Sequence, residues 1–468
     1  MPSKRTSERI IYVTGSSDSI CSEFSSIYDD LEDRFPHVCG ACGAADRKTI
    51  VMNTVHYIAK ELRHGSLACI RAGKLRAIYV IVNRMDYANP CPIDFTEEVT
   101  RAISANELHA RHNTQDRTNG HNSNKKAKQR ATFPTSKYWY GKGILCTMEG
   151  DVTNGFSSSM FGEYIDLFDR AAESCFFDEM SVQPPFPDTD FVLNKRDCPV
   201  FTKDGTHPYA HALAPCDRAT ARVPSTSPRL AALSIYTGQS WCDQPIVEPI
   251  AKLRVMPRIV DWNRKRSTAL FRGSSTQAGS DICTNTRLEL CTVLSPLLDC
   301  AITAWSKRIK VLYGRANIQH RLYNCGTRIP VTRWSEWKYQ IYVKGHSAAL
   351  RMRELLCTNS VIIKISTEQS DDMPCDSLWY FESHMKAFPK CDLKIANHIA
   401  WPAHKITELP RLVRWLIKND DIARRIADNA HSLSVKLTDE KYICDELRKQ
   451  VSYTTSDNII RVEKKHEV

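Results

Sequence analysis

No stretch of this 468-residue sequence stays apolar for long. A membrane-crossing helix needs roughly 20 consecutive apolar residues, and no window approaches that. The N-terminus, MPSKRTSERIIYVTGSSDSICSEF, holds only the short run IIYV, too brief for the apolar core of a secretory leader. Both absences argue against a membrane span and against a secretory route. They therefore also argue against disulfide pairing of the 18 cysteines, since disulfides persist in oxidising compartments. The thiols are expected to be reduced, and most to act as small buried hydrophobes. A second close cysteine pair is missing as well. Cys39 and Cys42 stand alone in HVCGACG, whereas a zinc site usually takes two such pairs, so a turn is the better reading.

The composition that remains is that of an ordinary globular chain, 42% hydrophobic and 25% charged, long enough for two or three domains. The formal net charge of +11 suits an anionic ligand without choosing among nucleotide, nucleic acid and membrane surface. Residues 1–36 are rich in Ser, Asp, Glu and Arg and read as a flexible tail or a loosely attached helix. A first domain is expected over 37–257, a second over 258–440, and a C-terminal helix and tail over 441–468. Within the first, 66–84 shows two apolar runs around Ala-Gly-Lys, a hairpin pattern. Residues 109–132 contain no apolar residue larger than alanine and read as a long polar loop. Its cluster Lys125, Lys126, Lys128 and Arg130 fits a solvated charge run better than a nucleic-acid contact. The segment KYWYGKGILCTMEG is strand-like. Residues 156–176 carry Met160, Tyr164, Leu167, Phe168 and Ala171 at helical spacing. Asp188-Thr189-Asp190 reads as a turn before a short strand, and 215–229 as loop. A strand is expected at 231–236 and a helix-like stretch at 246–256.

The second half is more regular. Residues 269–271 form an apolar run, and 284–296 an amphipathic helix. KYQIYV at 338–343 leads through KGHSAA into LRMRELLCTNS and then VIIKI at 361–365, a strand–turn–helix–strand order. Residues 405–434 read as helical throughout. Two loops here, FRGSST at 271–276 and KGHSAALR at 344–351, each follow a strand and open onto a helix. Gly273 and Gly345 permit close backbone approach. Arg272 and Arg351 offer forked donors for phosphate oxygens, and Ser274, Ser275 and Ser347 offer further donors. Helix N-termini would add positive charge. The local residues support two readings equally: a diphosphate site, or a structural arginine paired with a carboxylate. Neither loop spells GxGxxG or GxxxxGK followed by Ser or Thr. In LNKRDCPV, Asp197 stands at a strand end beside Lys195 and Arg196. It is placed as a general base, although its local residues alone favour a surface ion pair.

FRGSST, KYQIYVKGHSAALRMRELLCTNSVIIK, ELPRLVRWLIKNDDIARRIADNA and, upstream, PDTDFVLNKRDCPV, four blocks in the right order and at compatible spacing, resemble glycosyltransferase family 90 over roughly residues 180–445. That group includes Rumi-type protein O-glucosyltransferases and fungal capsule xylosyltransferases, and KRDCPVFTKDGTHPY looks most like members carried by large DNA viruses. The resemblance implies an α/β fold of GT-B architecture, two Rossmann-like domains facing across a cleft. It implies inverting, metal-independent transfer of glucose or xylose from UDP-glucose or UDP-xylose to a protein serine or a glycan, with no cofactor. Asp197 then corresponds to the general base. Arg272 and Arg351 correspond to the diphosphate ligands, and Gly273, Ser274, Ser275, Gly345, Ser347 and Ala348 to the donor loops. The family's His-Tyr-x-Pro-Val segment is represented only by Asn397-His398-Ile399-Ala400-Trp401-Pro402, so His398 reads as structural. The chain ends KKHEV, unlike the retention signal of members of the endoplasmic reticulum. A cytosolic or viral-factory location and a monomer without nucleic-acid partners are expected. The alternatives are a catalytically silent basic nucleic-acid-binding protein and an inactive family member.

Overall fold

The computed structural model describes residues 9–36, 44–62, 64–83, 158–177, 186–194, 229–237, 243–248, 258–277, 282–283, 285–306, 309, 323–345, 348–366, 377–456 and 459–460. The lysine cluster at 125–130, the Cys39/Cys42 pair, KYWYGKGILCTMEG, Asp197 and Ser347 lie outside them.

Six strands make a first sheet: β1 (Ile10–Gly15), β2 (His64–Arg71), β3 (Lys74–Asn83), β4 (Thr189–Asn194), β5 (Ala232–Ser234) and β6 (Gln244–Pro245), in the order β1-β3-β2-β4-β5-β6. The expected hairpin is β2–β3. Its two turn residues, Ala72 and Gly73, have φ of 50° and 69°, the left-handed pair whose twist matches that of the flanking strands. β2 runs antiparallel to both neighbours, while β1 pairs parallel with β3 and β4 with β5.

Residues 9–36 are not a tail. IIYV is the start of β1, and helix α1 (Ser17–Arg34) follows, with Ser16 accepting at its Oγ from the Ser19 N–H at 3.3 Å. Ile20, Phe24, Tyr28 and Leu31 are buried on one face of α1. Four apolar residues at spacings of four, four and three suffice for a packed helix, even in a segment this polar. Phe24 meets Tyr79 of β3 edge-on, with 4.9 Å between ring centroids.

Asp188-Thr189-Asp190 also differs from its expected turn. Asp190 is fully buried in β4 and binds Arg71 (2.9 Å), Arg47 (3.1 Å) and the Tyr28 hydroxyl (2.9 Å). Burial alone would raise its pKa, but Arg71 and Arg47 outweigh that and hold the carboxyl below its ordinary value. Asp188 accepts from the Ala72 N–H at 2.7 Å and so fixes the hairpin turn.

Helices α2 (Ala44–Tyr57) and α3 (Ser158–Phe177) complete this unit, α3 burying Tyr164, Leu167, Phe168 and Ala171 as its spacing predicts. A second sheet contains β7 (Arg266–Ser274), β8 (Leu298–Ala304), β9 (Trp337–Tyr342), β10 (Val361–Ser366), β11 (Ala387–Phe388) and β12 (His398–Pro402), all parallel, in the order β8-β7-β9-β10-β12-β11. Between β7 and β8 lies helix α4, only Thr286–Leu290 and far shorter than the expected 284–296. Between β9 and β10 lies α5 (Met352–Leu356). The helical stretch expected at 405–434 breaks at Asn419 into α6 (Leu409–Lys418) and α7 (Asp420–Thr438). Val413, Leu416 and Ile426 of these helices pack with Phe271, Ile341 and Ile363 of the sheet.

The chain then returns to the first unit. Helix α8 (Glu440–Ser456) buries Ile443, Cys444, Leu447 and Val451 in the same core as Tyr164 and Phe168, and Gln450 accepts from the Val247 N–H at 2.7 Å. A second link ties α5 to the first unit: the Arg353 Nε lies 2.9 Å from the carboxylate of Glu248, and Glu248 is buried.

Candidate functional site

From β7 the chain moves to β8 on one side, then crosses back to β9 on the other. The loops leaving β7 and β9 therefore diverge, and the crevice at the carboxyl ends of these strands is where open parallel sheets bind ligands. Both loops singled out in the sequence start there.

Arg351 precedes α5. Its Nη1 donates to the carbonyl of Arg272, and its guanidinium lies 5.9 Å from the ring centroids of both Phe271 and Trp334. Burial pushes its pKa down. No carboxylate lies within ion-pair distance of it among the described residues. Gly273 is packed tightly against a neighbour: a Cβ there would sit 2.8 Å from Phe271 Cζ, so the phenyl ring would have to shift, and at 3.5 Å from Arg351 Nη2 it would make an ordinary contact.

Arg272 is placed differently. Its Nη1 donates to the carbonyls of Phe271 (3.0 Å) and Asp299 (2.6 Å), and its Nη2 pairs with the Asp299 carboxylate. That is the structural reading of this arginine; its Nε is buried and unpartnered among the described residues. The structure thus joins Arg351 to the backbone of Arg272 rather than setting two guanidinium groups side by side.

The hydroxyl residues divide as well. Ser275 is fully buried; its N–H donates to Ala304 and its Oγ accepts from Ser306, both at 2.9 Å. It cannot reach a ligand, so its expected donor role is corrected to bracing the loop. Ser274 is half-buried, with its Oγ 3.1 Å from Thr276 Oγ1, and stays at the crevice. Ala348 is buried in the first core beside Tyr342 and Met352, a packing position rather than a ligand contact. Gly345 is buried at the end of the β9 loop. The expected helix-dipole contribution shrinks too, because α4 and α5 are five residues each. At α4 the Asn285 side chain already accepts from the N–H groups of Arg287 (3.0 Å) and Leu288 (3.2 Å).

The residue missed in the sequence is Arg287. It is buried in α4. Its Nε donates to the Lys344 carbonyl (2.9 Å), its Nη2 to Val343 (2.9 Å), and its Nη1 to the Ser274 carbonyl (3.0 Å) and Thr276 Oγ1 (2.7 Å). Burial pushes its pKa down to about 9, with the Arg351 charge adding to the push. Arg287 is the one cation in the sequence between Gly273 and Ser306, and it stands among Leu288, Leu290 and Cys291. A lone charge on an apolar helix face was the available signal.

On the first sheet, β4 ends at Asn194, three positions before Asp197. The Asn194 side chain donates to Ser234 Oγ (2.9 Å), and Ser234 in turn donates to Asp243, all three residues being buried. His398 is buried beside Asn397, and burial with Lys364 and Lys390 pushes its pKa down to about 3. That environment suits a structural imidazole. No group of three or more His, Cys, Asp or Glu that could hold a metal exists among the described residues, and no helix among them is long and apolar enough to cross a membrane.

A model of the family described as "Glycosyl transferase family 90" matches residues 179–449, which include both crevice loops and the β4 end. Uncharacterized protein 035R of Invertebrate iridescent virus 3 is 24% identical over 424 residues, covering 84% of this chain and 35% of that protein. Uncharacterized protein 027R of Frog virus 3 is 25% identical over 283 residues, covering 54% and 28%. The chain thus spans about a third of the length of the viral relatives it matches. Among solved structures, Anabaena HepE in complex with UDP-glucose is similar at 11% identity and a TM-score of 0.30, over 54% of this chain and 71% of that one. Sucrose-phosphate synthase from Thermosynechococcus elongatus is similar at 10% identity and a TM-score of 0.28, over 47% and 53%.

Proposed function

The chain belongs to glycosyl transferase family 90, and from that premise we propose that it moves glucose or xylose from a UDP-sugar to an acceptor hydroxyl, on a protein serine or a glycan, with inversion and without a metal ion. The observation that carries this reading is Arg351: a half-buried guanidinium with no carboxylate at ion-pair distance among the described residues, at the switch point of a parallel sheet. A partly desolvated cation of that kind asks for an anion, and a pyrophosphate supplies one.

In the proposed step, the Asp197 carboxylate takes the proton of the acceptor hydroxyl. The acceptor oxygen forms its bond to the anomeric carbon as the bond from that carbon to the β-phosphate oxygen breaks, and the electron pair leaves with UDP. One displacement from the opposite face converts an α-linked donor to a β-linked product, through an oxocarbenium-like transition state as in glycoside hydrolysis. Negative charge grows on the departing diphosphate. Fixed donors such as Arg351 and the half-buried Ser274 hydroxyl would stabilise it, each worth ~3–4 kcal/mol in comparable anion holes. Arg272 joins them if the diphosphate displaces Asp299 from its guanidinium.

The test is a hydrolysis screen of the purified chain against a panel of UDP-sugars, in the presence and absence of EDTA, with water standing in for the acceptor. Release of UDP from UDP-glucose or UDP-xylose, unchanged by EDTA, supports the reading. Release from neither sugar, or only with added divalent metal, sinks it.

A further inference from the structure

We propose that Arg287 is a positioning residue of the donor site, one that converts oxygen-lined strand ends into a surface able to accept a pyrophosphate. The proposal rests on reading the crevice as a nucleotide-diphosphate site.

Parallel strands that end together leave carbonyl oxygens at their carboxyl ends. Here the carbonyls of Ser274, Val343 and Lys344 and the Thr276 hydroxyl oxygen converge from both diverging loops. Four oxygens at the strand ends suit a cation and repel a phosphate. The buried Arg287 donates to all four, at 2.7–3.0 Å. Its fork geometry matters, because one guanidinium can bridge two backbones at fixed angles. All four acceptors are neutral, and no carboxylate pairs with the guanidinium among the described residues.

That lack of a counter-charge separates Arg287 from most other buried arginines of this protein. Arg71 and Arg47 meet Asp190, and Arg448 lies 3.6 Å from Asp445; the half-buried Arg353 likewise meets Glu248. Arg287 instead has a second cation nearby: its guanidinium and that of Arg351 each lie 5.9 Å from the centroid of the Phe271 ring. Two uncompensated like charges over one ring are unfavourable until an anion arrives. The arrangement therefore stores positive potential at the strand ends, with Arg351 facing the ligand and Arg287 setting the loops and the field behind it.

Calorimetric titration of the whole chain with UDP, uridine and inorganic pyrophosphate, for wild type, Arg287→Gln and Arg287→Lys, tests this. The glutamine variant should lose about 30-fold or more in affinity for UDP and pyrophosphate while uridine binding changes by less than about 3-fold. The lysine variant keeps the charge but cannot bridge four oxygens, and should recover part of the loss. A purely structural role would weaken uridine and UDP together, or would lower the melting temperature and leave both affinities alone; either result overturns the proposal. Should the glutamine variant fail to fold, the lysine variant decides: UDP weakened with uridine kept supports the role, and any other pattern overturns it. Wild type binding neither UDP nor pyrophosphate would remove the donor-site reading itself, whereas wild-type binding with an unchanged glutamine variant removes only the role of Arg287.

Discussion

Arginines shielded from solvent in this protein fall into two kinds, and the difference predicts what their loss does. Arg71 and Arg47 neutralise Asp190 inside the first unit. Asp190→Asn should therefore destabilise the fold by about 3–5 kcal/mol, because it leaves the buried Arg47 without its carboxylate and Arg71 with Glu32 alone; urea denaturation measures it. Arg351 has no such partner among the described residues, so Arg351→Ala should cost little stability yet weaken UDP binding by about 100-fold, as titration calorimetry will read. Asp197→Asn should lower turnover ~1,000-fold or more, the scale of a lost general base, with UDP affinity kept; normal turnover refutes the assignment. His398 gives the pH prediction. Its folded pKa of about 3 lies below that of an unfolded imidazole near 6.5. The unfolded chain then binds more protons between those values, so this contribution is complete above about pH 6.5 and is lost as the pH falls. At pH 5 the loss amounts to about 2 kcal/mol. Urea melts at pH 7 and pH 5 should show a smaller loss in His398→Asn; an equal loss in the variant excludes this histidine as the cause.

At the scale of elements, the capping of α4 is the feature most exposed to mutation. Asn285 accepts from two N–H groups of α4 and donates through Nδ2 to the Ser275 carbonyl at 3.1 Å. Asn285→Ala should cost about 1 kcal/mol as a lost cap, and it should loosen Arg287, so UDP affinity should fall with stability. Stability alone changing would detach the cap from the site. Much of the second sheet was legible: KYQIYV, the small-residue turn and VIIKI read directly as strand, turn and strand, and the two crevice loops followed. Helix α1 was not, because its four buried apolar residues are diluted among serines and acids, and a tail differs from a packed helix only when their spacing is counted. Nor was α4, where apolar residues continue past the helix end into an irregular segment that buries Cys291 but leaves Leu294 exposed. Arg287 escaped for the converse reason. Its importance lies in oxygens from positions 274, 276, 343 and 344, which no local window brings together.

At the scale of the whole molecule, the two α/β sheets agree with the GT-B architecture expected of the family, although the first sheet contains the antiparallel strand β2. Helix α8 closes the chain on the first unit. Leu447 is fully buried there, and Leu447→Ala should cost about 2–5 kcal/mol, measurable as a lowered urea midpoint. UDP at 100 times its dissociation constant should stabilise the protein by about 2.7 kcal/mol, visible as an upward shift in melting temperature that Arg351→Ala abolishes.

Two arginines at the start of α5 serve different places. Arg353 lies 2.9 Å from Glu248 across the junction, and Arg351, just before the helix, donates to the Arg272 carbonyl at the strand ends. If the proposed diphosphate sits on Arg351, this short segment would be both fastener and sensor: sliding of the halves would tug on the phosphate ligand, and an occupied crevice would brace the joint in return.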